Sequence, residues 1–189
     1  MRRYFTFGLA LSLILPVAAA AQARLQGQSQ EIPDPVPDAF AGSRDYNQGS
    51  VGLDSVLFVV PRAKSVGTGL QVEGQRRWTV YQGPSGTTGF AVFAHYKREL
   101  AQRGYTIVYT CSRKACPYNL LSAGMGGILN PIVAAMAAAG DGSVDDTHYI
   151  VARRLTPDGT DYARIAVRGP VLPVASVDIV SSDSPKAPQ

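Results

Sequence analysis

The segment Thr156-Pro157-Asp158-Gly159-Thr160 constrains the fold more than any other stretch of the chain. Proline presets the backbone angle at a turn's first corner, and an Asp-Gly pair lets a chain reverse tightly, so the flanking segments are expected to run antiparallel. Those flanks, residues 148–155 (HYIVARRL) and 161–168 (DYARIAVR), carry strand chemistry. In the second, Ala163, Ile165 and Val167 alternate with Tyr162, Arg164 and Arg168, which predicts one apolar face and one solvated face. A C-terminal β-hairpin is therefore the first expectation.

Upstream, residues 56–60 (VLFVV) form a β-branched run stopped by Pro61, and residues 70–81 (LQVEGQRRWTVY) read as a longer strand with a bulge or bend at Gly74. The turn residues QGPSG follow at 82–86, after which Thr87 or Thr88 caps a helix reaching about Arg103. Phe93, Tyr96 and Leu100 share one helical face, with Val92 beside them, while Lys97, Arg98 and Gln102 lie elsewhere. Gly104 supplies the helix stop, and residues 105–111 (YTIVYTC) return as a strand. The sum predicts an α+β fold: a single domain with a mostly antiparallel sheet packed on one side by helix.

The ends bound that domain. Met1-Arg2-Arg3 precedes an uncharged run from Leu9 to Ala20, too short for a stable bilayer span, and AAAAQA at 18–23 offers small-x-small cleavage sites. Residues 1–23 are read as a signal peptide cut after Ala21 or Ala23, directing the chain to the periplasm. Its loss lowers the formal charge of +4 to +2 and leaves no dense basic cluster, so no nucleic-acid partner is expected. Residues 24–50, rich in Pro, Gln and Gly, read as a flexible arm, 51–180 as the domain, and 181–189 as a disordered tail. The uncharged stretch from Leu120 to Gly140 is long enough to span a bilayer, but Gly124, Gly126 and Gly127 weaken it and Asn130-Pro131 restarts it. It is read as two short helices that do not cross the membrane, and as a place for peripheral membrane contact.

Cys111 and Cys116 are the only cysteines, and in an exported chain the simplest reading is a local disulfide. A redox role, with Arg113 and Lys114 stabilising a thiolate, is the sharper alternative, though the spacing is not the two-residue spacing of thioredoxin-like motifs. His95 stands one turn before Glu99, which suits a solvated pair. His148 follows Asp145-Asp146-Thr147, a carboxylate-rich approach to an imidazole whose spacing matches no zinc or calcium pattern, so no metal is expected. Gly67-Thr68-Gly69 precedes a strand and is no nucleotide loop, and Ser85 lacks the nucleophile-elbow spacing. No catalytic residue is assigned and no cofactor is expected. The face carrying Tyr162, Arg164 and Arg168 is the candidate surface for an anion or partner.

Gly42-Ser43-Arg44-Asp45, residues 93–111 (FAHYKRELAQRGYTIVYTC), Cys116 with Asn119-Leu120, and residues 149–155 (YIVARRL) together resemble a family of uncharacterised exported proteins of Gram-negative bacteria. The family is a domain of unknown function sometimes found ahead of an OmpA-like peptidoglycan-binding domain, and the resemblance runs roughly from residue 41 to 180. This chain departs from it in a shorter segment after Asp45 and in a longer, Ala- and Gly-rich stretch after Cys116. No OmpA-like domain is expected here. The resemblance implies an envelope location and a compact domain with paired cysteines, but no reaction. Together these readings point to a non-catalytic periplasmic module that binds or scaffolds an envelope protein or polymer. The competing reading is a hydrolase or transferase acting on an envelope polymer.

Overall fold

The computed structural model describes residues 34–60, 69–116, 146–169 and 172–183. The expected signal peptide, the Leu120 to Gly140 stretch and most of the expected tail lie outside them. Six strands form one antiparallel sheet: β1 (Arg44–Val59), β2 (Gly69–Gln82), β3 (Thr106–Ser112), β4 (His148–Thr156), β5 (Gly159–Arg168) and β6 (Val174–Asp183), in the order β1-β2-β6-β5-β4-β3. One helix, α1 (Gly89–Gln102), lies between β2 and β3, and a short 3-10 turn (Arg113–Ala115) follows β3.

The α+β expectation is corrected by this inventory. The domain is a single antiparallel sheet with one short helix among the described residues, because strand occupies stretches read as something else. Residues from Arg44 onward, expected in the arm, open β1, and the last residues of β6 run into the stretch expected as tail. The hairpin does form: β4 and β5 pair without interruption from His148↔Val167 to Thr156↔Gly159.

Side chains alternate across the sheet and build two cores. On the first face Ile150, Ala152, Ala163, Ile165, Val167, Ala175, Val177 and Ile179 meet Val92, Phe93, Tyr96 and Leu100 of α1. Helical spacing sets that stripe, and Thr88 caps the helix by accepting the Ala91 N–H on its hydroxyl at 3.2 Å. Gly104, with a φ of 80°, takes the left-handed turn that ends it. Residues 34–43 strap this face: Val36 and Phe40 pack on the core, Tyr105 donates its hydroxyl to Pro35 O at 3.0 Å, and Arg103 pairs with Asp38 at 2.8 Å.

The second face is covered by the sheet itself. β6 pairs β2 only from Gln75 onward, and there the β1–β2 ribbon bends away. The register slips between Val51 and Asp54, opposite Gly74, where any Cβ would collide with the Ser181 carbonyl oxygen. Gly74 is thus the bend that the sequence suggested. Beyond it, Val56, Phe58, Val59 and Val72 pack on Tyr149, Val151, Ala166 and Val180. Two strands separate β1 from β5 in the sheet, so the ring contact of Phe58 with Tyr162 is reached only by folding across the face.

Candidate functional site

The triplet Tyr162, Arg164 and Arg168 does not form an open cationic face. Tyr162 packs on Phe58, and Arg164 is buried, at 5 % exposure, beneath the folded ribbon. There Arg164 and Arg76 converge on Asp178, which is wholly buried. Arg76 grips it in bidentate fashion, donating from Nε at 2.8 Å and Nη2 at 2.7 Å, and donates from Nη1 to Asp54 at 2.8 Å. Arg164 also donates from Nη1 to Leu57 O at 3.2 Å, tying the ribbon's end to β5. Burial works against the Arg76 charge, but the two carboxylates outweigh it and raise its pKa. The hydrogen bond from Arg76 holds the Asp54 carboxyl below its usual range. These charges serve one another, so the cluster joins strands rather than offering cations to a ligand.

His148 is wholly buried on the first face at the end of β4, stacked on Phe93 and edge-on to Phe90. Its Nδ1 shares a 2.5 Å hydrogen bond with Ser112 Oγ, and its Nε2 lies 3.5 Å from Asp146. A hydroxyl, an imidazole and a carboxylate thus stand in a row, which the sequence could not reveal because Ser112 and His148 are brought together only by the pairing of β3 with β4. The imidazole has no exposed edge on which to exchange a proton with a substrate. Burial lowers its pKa despite the nearby Asp146 carboxylate, so it stays neutral and locks two strand ends. His95 does not pair with Glu99, which bonds Arg103 at 2.9 Å instead; its Nε2 meets Asp38 O at 2.9 Å and holds the strap.

Cys111 and Cys116 are bonded, with Cα atoms 5.1 Å apart. Arg113, at a φ of 55°, makes the left-handed turn that returns the chain, and Cys116 N donates to Arg113 O at 2.8 Å. Among the described residues no group of His, Cys, Asp and Glu could hold a metal, and no helix is long and apolar enough to cross a membrane.

What remains open is a groove of about 520 Å³ on the first face, between the strap and the β1–β2 ribbon. Its walls include Asp34 and Val36 of the strap, Gln48 and Ser50 of β1, and Arg77 and Tyr81 of β2. The register places Arg77 opposite Ile179 and Tyr81 opposite Ala175, both first-face positions. Arg77 reaches Asp34 at only 3.7 Å, and both side chains are largely exposed. The groove therefore offers a cation, a carboxylate, an amide, hydroxyls and an aromatic ring beside the edge strand β1. Nothing in the sequence marks it, since the strap has the Pro-rich composition of a linker. No protein-family model matches the chain, and a search of curated proteins finds no similar one. Geometry alone must therefore carry a functional reading.

Proposed function

We propose that the protein is exported to the bacterial periplasm and acts there as a non-catalytic binding or scaffold module for an envelope protein or polymer. The observation that carries this reading is the first-face groove, which runs between strap and ribbon and opens beside β1, the sheet edge that no other described strand covers. Convergent polar side chains in a concave surface are what recognition of an extended, hydroxyl- or amide-bearing partner needs. The basic start, apolar run and small-residue cleavage motif of residues 1–23 support export, as does the Cys111–Cys116 bridge, which persists in oxidising compartments. The resemblance to exported Gram-negative domains belongs to the same proposal. The buried His148 row favours a structural role over hydrolysis.

A photo-crosslinking residue placed at Ser50 tests the reading in cells, with the same group at Leu155 as control, since that side chain is 80 % exposed and lies off the groove. A single envelope species other than the chain itself, captured through position 50, absent at 155 and lost on Arg77→Glu, is the expected result. Equal capture at both positions, or none at 50, would overturn it.

A further inference from the structure

The free edge of β1 has a pattern that matches itself. β1 ends the sheet, so its outer backbone N–H and C=O groups face no strand among the described residues. Such an edge invites another strand unless it is short, charged or interrupted. From Tyr46 to Leu53 it carries no charge and no proline, and Tyr46, Val51 and Leu53 stand 56 %, 38 % and 77 % exposed. Its pairing with β2 is regular from Asn47 to Val51, a stretch centred on Gly49, with a register shift on each side.

We propose that a second copy of this chain adds antiparallel to β1 about a twofold axis at Gly49, forming a symmetric dimer with a continuous sheet. In that register Asn47 faces the partner's Val51, and Tyr46 faces the partner's Gly52. Space around Gly52 is open, with no atom within 4 Å of where a Cβ would be, so an aromatic ring can lie over it as aromatic side chains do over glycine in neighbouring strands. Arg44, which donates to Gln82 of its own chain, then faces the partner's Asp54, which also accepts from Arg76 within its own chain, and by symmetry Asp54 faces the partner's Arg44. Opposite charges close both ends, and no like charges meet. An isologous contact of this kind is self-limiting, so it covers the edge without starting a fibre.

The twofold axis stands perpendicular to the sheet and keeps both first faces on one side. Gln48 and Ser50, which line the groove, meet at the seam. Two grooves thereby join into one trough suited to a long partner. The dimer itself does not depend on the groove's role.

Sedimentation velocity of the mature chain, with its disulfide intact, is the test. The expected result is a dimer at micromolar concentration. Tyr46→Glu combined with Leu53→Glu should give a folded monomer with unchanged circular dichroism and a thermal midpoint that no longer depends on protein concentration, since both side chains are exposed. Arg44→Glu should weaken association by about tenfold, the effect of losing roughly 1.4 kcal/mol. Mixing a Gln48→Cys chain with a Ser50→Cys chain should yield a crosslinked heterodimer under mild oxidation. A monomer at every concentration would overturn the proposal, as would a dimer that survives the double glutamate variant.

Discussion

The two faces of the sheet are closed by opposite means. The first is covered by a helix and a strap, and its core is mostly hydrocarbon, with a neutral imidazole at one margin and the buried Arg154–Asp161 ion pair at the other. The second is covered by the bent end of the sheet, and its core holds Arg76, Arg164 and Asp178 beside Val56, Phe58 and Val180. An amphipathic helix needs only a stripe of matching width, and many sequences supply one. A strand pair folded over its own sheet has no such default geometry, since its backbone must bend at one residue and meet β5 at one place. Gly74 supplies the bend, and the charge cluster supplies the meeting point. The helix-covered centre of the first face is thus specified largely by pattern, whereas the folded-over face is specified by particular residues.

The largest break in this contrast should come from Asp178→Ala. It leaves two buried guanidinium groups without their shared carboxylate, a loss of about 3–5 kcal/mol for a broken buried pair. Urea unfolding should show that loss, and hydrogen exchange should rise first in Val56–Val59 amides while α1 stays protected. Removing the disulfide with Cys111→Ser and Cys116→Ser should cost about 2 kcal/mol, the loop-entropy value for so short a ring. Cys111 belongs to the second-face core and Cys116 packs against it, so exchange should rise at the neighbouring Val56–Val59 amides while α1 stays protected. Thr88→Ala, which deletes the helix cap, should cost about 1 kcal/mol and loosen the first face alone.

The smallest effect concerns pH. His148 has its pKa lowered below 6.5 in the folded protein, so the unfolded chain takes up a proton that the folded chain refuses. Its contribution is fully present above pH 6.5 and is lost as pH falls below it toward the folded pKa. Denaturant midpoints measured across that window should fall for the natural chain and stay flatter for His148→Gln. Equal slopes would mean that the imidazole titrates freely and the first face is wetter than its burial implies.

Legibility in the sequence followed the same divide. The β4–β5 turn was readable because Pro157-Asp158-Gly159 acts locally, and the α1 stripe because its period does. Gly74 announced the bend. Arg164 was misread as solvated because alternation reports polarity and not burial; its carboxylate partner Asp178 lies on another strand. β6 itself was hidden for a related reason, since VASVDIVSSD is apolar on both faces with a charge at its centre. Arg76 meets that charge across 102 residues, a distance no window spans. The groove was out of reach because one of its walls is a strap whose Pro-rich composition reads as linker.

The strand order also dictates a sequence of events. Among the described residues, backbone strand pairing joins β1–β2 to β3–β4–β5 only through β6, which follows all of them in the chain. Neither part can complete a sheet until the final strand slots between them, and pairing over such long separations is slow. A sheet whose joining strand follows all the strands it joins stays open, and its two parts stay separately pliable, until that strand has been made.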